Sequence, residues 1–361
     1  MGSPPRPSPT ASVRNRVEGE IASLEDAEEV QQAETVDRPP DEDKDIPRSK
    51  VYTPLALPVL TILAPASILG VLARLGLQAL ATFDGRSVFP LLYVQALGCF
   101  IMGIGVRLKE PLGNYYGPFY TALATGFCGS LTTFSGWQLD IFSTWTDAGG
   151  YHRSGLYSAF DGIGVAAITL SLSLGSLAFG HSVADVMLPY VKFPAFPPRW
   201  QRYTITLVST LVYGSTIITY FLLSPRFRHE ATAALIFSYP GTLTRYLLSV
   251  LLNERFKALP AGTFTANVLG TGLLGACHVL QSVQPPVSPS SCAILQGIMD
   301  GYCGCLTTVS TFAAEISDLG QWRATRYAFL SLAVGQLILV VVVGTPIWTN
   351  AVVSRATCTF V

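Results

Sequence analysis

Charge is what this sequence has least of: Lys, Arg, Asp and Glu together make up 13% of its 361 residues, about half the share of an ordinary soluble domain. So few ions cannot cover the surface of a water-soluble globule of this size, and the deficit points to lipid. The four histidines, His152, His181, His229 and His278, have no metal-ligand spacing, which argues against a zinc site. The seven cysteines contain no CxxC pair, and inside a membrane cysteine reads as a small packing residue. No nucleophile is set beside a base, no glycine-rich loop follows a strand to hold phosphate, and no basic surface marks nucleic acid. Enzyme activity and a nucleic-acid partner therefore have no support in the sequence.

What is present is hydrophobic: half of the residues. Apolar runs near the ~20 residues that cross a bilayer occur at 55–80, 88–106, 117–142, 160–180, 204–223, 231–252, 262–282, 292–315 and 324–344, giving nine spans in a lipid bilayer. Glycine and threonine dilute the third and eighth. The first 50 residues differ in kind, with 7 Lys+Arg against 12 Asp+Glu. Taken from totals of 23 and 23, this leaves 16 against 11 for the rest, so the zero net charge is a cancellation of −5 and +5. The leader reads as a disordered tail without signal-peptide character.

Lys and Arg are retained on the cytoplasmic side of spans. One face collects Arg48, Lys50, Arg107, Lys109, Lys192, Arg199, Arg202, Arg255, Lys257, Arg323 and Arg326, against Arg86, Arg153, Arg226, Arg228 and Arg355 on the other. The N-terminus is expected in the cytoplasm and, after nine spans, the C-terminus outside.

Four landmarks occur twice in the same order. Arg74 in "GVLAR" pairs with Arg245 in "GTLTR"; "VQALGCFIMG" from Val94 pairs with "ANVLGTGLLG" from Ala266; "GFCGSLTTFSGW" from Gly126 pairs with "GYCGCLTTVSTF" from Gly301; "SLSLGSL" from Ser171 pairs with "SLAVGQL" from Ser331. This is a duplicated four-helix unit. The fifth span is unpaired, so it turns the second unit upside down in the membrane. The expected fold is an all-α polytopic membrane protein of two inverted four-helix repeats joined by one linker helix. Its parts are a tail (1–50), a first repeat (51–182), a linker (183–228), a second repeat (229–345) and a short extracellular tail (346–361).

Inverted repeats place their site near the midplane, where discontinuous helices supply backbone groups. Gly126, Gly129, Thr132 and Thr133 weaken a helix, so a break is expected in the third span and its copy. Carbonyls freed at two crossing breaks can hold a small hard cation such as Na⁺. Close packing by small residues is the competing account. Arg74 and Arg245, charges in apolar spans, need water, a partner or a function, or snorkel to the interface.

These residues together resemble the fluoride channel family: "GFCGSLTTFS" and "GYCGCLTTVSTF", the "GTLTRY" arginine and the asparagine of "TANVLG". Bacterial members are dimers of four-helix subunits, and fungal exporters fuse two units through an extra helix. The resemblance covers 55–345 and implies a chain that works alone as a pseudo-dimer. It implies a structural sodium on the carbonyls of Gly129, Thr132, Gly304 and Thr307. The family's Phe-Ser-Thr-Phe row falls on Phe134, Ser135, Gly136 and Trp137 and on Val309, Ser310, Thr311 and Phe312. Its asparagine falls on Asn267 and, in the first unit, on Gln95.

A positive ring edge suits a desolvated anion, and the amide of Asn267 with the hydroxyls of Thr133, Ser135, Thr308 and Ser310 can replace lost water. Ser171, Ser173 and Ser331 suggest a polar track, unless each bonds its own helix. Arg245 is read as functional, and Asp140 and Glu315 as residues of a pore mouth. The family's architecture implies pairing across units, which joins Phe134 with Phe312 in a conducting pore and leaves Val309 with Trp137, beside Gln95 and Arg74, in a degenerate one. Pairing within units would instead give Phe134 with Trp137 and Val309 with Phe312, and no intact pair. The expected function is passive, fluoride-selective export across the plasma membrane. An ion-coupled secondary transporter of a small anion is the alternative, and a membrane scaffold without transport a weaker third.

Overall fold

The computed structural model describes residues 52–83, 90–148, 150, 152–191, 196–224, 229–253, 255–256, 259–353 and 356–359. The expected tail at 1–50 lies outside them, as do Arg86, Lys192, Arg226, Arg228, Lys257 and Arg355 of the charge argument. Among the described residues there is no strand. Helices α1 (Leu57–Thr82) and α2 (Pro90–Arg107) are followed by α3, which runs Lys109–Thr121, widens to a π-helix at Ala122–Cys128 and ends in one turn at Gly129–Leu131. Next come α4 (Phe134–Trp145), α5 (Gly155–Met187), α6 (Arg199–Leu222), α7 (Glu230–Asn253) and α8 (Ala261–Leu280). Helix α9 repeats the habit of α3: Pro289–Gly297, a π-helix at Ile298–Cys303, and one turn at Gly304–Leu306. Helices α10 (Ser310–Asp318) and α11 (Gln321–Leu339) complete the set, α11 being prolonged to Trp348.

Seven of the described helices are long and apolar enough to cross a membrane. The third and eighth apolar runs are not among them: each is cut in two, at Thr132–Thr133 and at Thr307–Val309, and polar residues and glycines dilute the helix before each cut. Prolines mark several starts, where the missing N–H is an orphan anyway: Pro58 opens α1, Pro90 opens α2 and Pro289 opens α9, the last behind a Ser288 hydroxyl that accepts from the Ser291 N–H.

Glycines set the closest approaches. A Cβ on Gly70 or Gly126 would run into α3 or α1, and one on Gly241, Gly297 or Gly301 would do the same between α7 and α9. Thus α1 lies on α3 as α7 lies on α9. Gly103 and Gly180 bring α2 onto α5 backbone to backbone, whereas at Gly275 the neighbours are side chains of Leu339, Val342 and Val343. Helix α6 buries only Ser209 and rests on α1 and α7, the position of a peripheral connector.

The half-helices beyond the breaks cross over. Helix α4 packs on α8 and α11 of the second half as well as on α5, and α10 packs on α2 and α5 of the first. The apolar core lies where they meet, around Phe134, Trp137, Val309 and Phe312.

Candidate functional site

At each break the chain leaves the helix in extended conformation, Thr132 at φ −87°, ψ 152° and Thr307 at φ −96°, ψ 148°. The half-helix that follows needs acceptors for its first N–H groups. They come from the other half of the chain. The Thr307 hydroxyl accepts from the N–H groups of Phe134 (3.1 Å) and Ser135 (3.0 Å), and the Thr132 hydroxyl from those of Val309 (3.2 Å) and Ser310 (3.0 Å). Each threonine hydroxyl donates back to its own helix, at Cys303 and Cys128 respectively. Thr133 and Ser135 close around Thr307 at 3.1 and 3.0 Å; Thr308 and Ser310 close around Thr132 at 3.1 Å. The four hydroxyls read from the sequence as replacements for water are thus joined into two reciprocal caps.

Gln95 and Asn267 do equivalent work on the two breaks. The Gln95 amide donates to the Thr133 carbonyl (2.6 Å) and accepts from the Thr133 N–H (3.3 Å). Asn267 does the same to Thr308, at 3.2 and 2.8 Å. Both are buried and hold an extended peptide that has left its helix.

Neither arginine snorkels. Arg74 and Arg245 are 1% and 0% exposed, and each reaches into the broken helix of the opposite half. Arg74 donates to the carbonyls of Gly304 (2.9 Å) and Asp300. Arg245 donates to Cys305 in its own half (3.0 Å) and to Thr125 in the other (2.6 Å). The π-helices make this possible, since widening the turn releases carbonyls from the regular ladder. Glycine is required opposite each guanidinium: a Cβ on Gly304 would overlap Arg74, and one on Gly129 would overlap Arg245.

The aromatic row is continuous. Phe134 meets Phe312 edge-on at 5.5 Å and Trp137 at 5.6 Å, and Phe312 meets Tyr327 of α11 at 5.0 Å. Ring contact therefore joins both the crossed pair and the pair within the first half. The flanking helices differ: Trp137 donates its indole N–H to the Val165 carbonyl of α5, while Phe312 leans on α11. Val309 is fully buried among these rings.

Glu315 is not at a solvent-open mouth. It is 1% exposed and accepts from the Thr263 hydroxyl and the Tyr327 phenol, both at 2.6 Å. Asp140 is partly exposed and lines a cavity of about 230 Å³ with Arg74, Gln78, Gln296 and Asp300. The serines also shift. Ser171 is exposed, whereas Ser173 and Ser331 are buried with hydroxyls that have no partner. The SLxxG alignment slips the face by two residues, and the two buried serines lie on different helices, α5 and α11.

Sequence reasoning missed Tyr327 and Thr263, which hold Glu315, and Gln138, which meets Gln336 of α11. Tyr327, Ser331, Gly335 and Leu339 recur every four residues on the buried face of α11, a helical period that the sequence did carry. It also missed the Cys292–Cys358 disulfide; the five other cysteines are free and buried, as packing residues. For the sodium expected on Gly129, Thr132, Gly304 and Thr307, oxygen donors of the right kind are present at both breaks. One of them, the Gly304 carbonyl, already accepts from Arg74.

Apolar helices of membrane-crossing length, two of their neighbours broken midway and closed on each other by buried hydroxyls and arginines, define a multi-pass helical membrane protein. The chain belongs to the family described as CrcB-like protein, Camphor Resistance (CrcB), which it matches over residues 61–181 and again over 232–345. It is 34% identical over 298 residues to Fluoride export protein 1 of Schizosaccharomyces pombe, covering 78% of this chain and 94% of that one. Fluoride export protein 1 of Neurospora crassa is 32% identical over 344 residues, which covers 79% of this chain and 65% of the relative. The Fluoride-specific ion channel FluC of Chromobacterium violaceum is 39% identical over 94 residues, 26% of this chain and 72% of the channel. No solved structure matches the chain.

Proposed function

We propose that this protein is a passive, fluoride-selective channel that exports fluoride from the cytoplasm across the plasma membrane. The observation that carries the reading is the edge-on contact of Phe134 with Phe312, where aromatic rows from the two halves meet beside Glu315 of α10 and the Tyr327 and Ser331 face of α11. Ring edges stabilise a bare anion weakly enough to release it. The names of the relatives support fluoride as that anion. An inside-negative potential drives an anion outward with about 2.3 kcal/mol per 100 mV.

In this proposal the broken helices are spans three and eight of nine, and the halves are inverted repeats acting together as a monomeric pseudo-dimer. The conducting path follows α11 past Phe134 and Phe312, with Asn267, Thr133, Ser135, Thr308, Ser310, Arg245 and Glu315 in its walls or supports. The α5 side, with Trp137, Val309, Gln95 and Ser173, is the degenerate path. A sodium ion on the Gly129, Thr132, Gly304 and Thr307 carbonyls would brace the breaks, sharing the Gly304 oxygen with Arg74; no transport step passes through it. The orientation has the N-terminus in the cytoplasm and the C-terminus outside. Support for it comes from Cys292 and Cys358, which this topology assigns to the outer face, where disulfides persist.

Liposomes containing the purified protein test the function. They should release fluoride and retain chloride, at a rate that follows the imposed voltage. Release that requires a sodium or proton gradient would instead assign an ion-coupled transporter.

A further inference from the structure

Gln138 lies on α4, one residue past Trp137, and is fully buried. Gln336 of α11 donates its amide nitrogen both to the Gln138 backbone carbonyl and to Gln138 Oε1, each at 2.9 Å. This geometry fixes which way both amides face. A backbone carbonyl can only accept, so the Gln336 atom beside it is nitrogen, and its two hydrogens are then both used. The Gln138 atom facing that nitrogen must be oxygen. The Gln138 NH₂ group is consequently turned away, and it finds no acceptor in the protein.

Two N–H donors without a partner, at a position with no exposure, call for an acceptor that the protein does not itself supply. The surroundings indicate its kind. Gly335 faces Gln138, a Cβ there standing only 2.8 Å from Gln138 Oε1. Four residues earlier on the same buried face of α11, the Ser331 hydroxyl is also buried and also unpartnered. Residues four apart are neighbours on a helix. One more turn back is Tyr327, against the Phe312 ring. Gln336 Oε1 is an acceptor without a donor and offers an anion nothing. The position corresponding to Gln138 in the second copy of the motif is Ala313, so only the α11 side carries the amide.

We propose that the Gln138 amide, with the Ser331 hydroxyl one turn away, forms a fluoride-coordinating site on the α11 path, donating to the ion as it passes the aromatic row. This rests on the fluoride reading above. Water fills the same donors between ions, and fluoride, the stronger acceptor, displaces it. Gln336 is a positioning residue, holding Gln138 Oε1 so that the NH₂ group points away from it.

The test is fluoride efflux from liposomes with Gln138→Glu and Gln138→Leu beside the wild type, each checked for monodisperse elution and melting temperature. Gln138→Glu keeps the shape and the oxygen that Gln336 holds while replacing the NH₂ donor; Gln138→Leu removes all polarity. Each folded variant should lose at least ten-fold in efflux, with half-saturation moved to higher fluoride. If one misfolds, the other decides. Wild-type efflux from either folded variant would overturn the site, whereas no efflux from the wild type would overturn the channel function itself.

Discussion

The Arg74 guanidinium on α1 hydrogen-bonds the Gly304 carbonyl on α9 at 2.9 Å, across 230 residues of sequence, in a place where a Gly304 side chain would have to stand. Arg245 likewise fills the place a Gly129 side chain would need, and donates to the Thr125 carbonyl of α3 at 2.6 Å. Each half of the chain thus inserts a charge into the broken helix of the other, and the carbonyls released by the π-turns accept it.

Gly304→Val and Gly129→Val should therefore each destabilise the protein by about 3 kcal/mol or more, since the displaced guanidinium would lose its partners while still buried. Thermal melting in detergent measures this. Gly76→Ala on α1 is the control, because nothing lies within 4 Å of its Cβ position. It should be neutral or stabilising by up to about 1 kcal/mol. Equal melting of all three variants would remove the arginine lock.

The crossed caps make a second prediction. Thr132→Val and Thr307→Val keep volume but take the acceptor from two N–H groups of the opposite half-helix. Each should lower stability by about 1–2 kcal/mol, and serine at either position should restore most of it. Chemical denaturation in detergent, with matched changes at the two sites, is the measurement. A valine variant as stable as the wild type would show that the caps contribute nothing.

Much of this was legible in the sequence, and for identifiable reasons. The Gly-Thr motif occurs twice, and glycine beside paired threonines weakens a helix, so the break positions could be read. The burial of Arg74 and Arg245 could be read as needing partners, but the partners could not: backbone carbonyls carry no residue signature, and those of Gly304 and Asp300 lie far along the chain. Which serines face inward was not legible: matching on SLxxG aligned Ser171 with Ser331, while helix faces are set by packing, which buries Ser173 and leaves Ser171 exposed. Glu315 was read as a residue of a pore mouth, and its burial was not legible because its partners, Thr263 and Tyr327, come from two other helices. Cys292 and Cys358 form no local motif, and only the fold brings them together.

That disulfide allows the orientation to be tested. In intact cells a membrane-impermeant reductant followed by an impermeant thiol reagent should label Cys292 and Cys358, while the five buried free cysteines stay unlabelled. Labelling only after permeabilisation would place the C-terminus in the cytoplasm and reverse the proposed topology. Cys358→Ser should lower stability by about 2–4 kcal/mol, the usual contribution of such a crosslink.

The last prediction separates the two paths. Phe312 touches both Phe134 and Tyr327, the latter on the α11 face with Ser331, whereas Trp137 is tied by its indole N–H to α5. If fluoride moves along α11, Phe134→Ile and Phe312→Ile each remove a ring edge from the only working path. Each should cut efflux by ten-fold or more, and the double variant should be little worse, because both act on one route. Tyr327→Phe should also slow efflux, since Glu315 would lose one of its donors beside the Phe312 ring and a buried acceptor would be left less well satisfied. Trp137→Ile acts on the other side and should leave efflux near wild type in a folded protein, even though its ring touches Phe134. Gln95 and Asn267 sharpen the comparison: they make equivalent bonds to their breaks, so their alanine variants should lose similar stability. Their transport should differ, with Asn267→Ala the more damaging. Liposome efflux read beside melting temperature decides it: should Trp137→Ile silence a folded protein while Phe312→Ile spares it, fluoride runs along α5 and the assignment of paths is reversed.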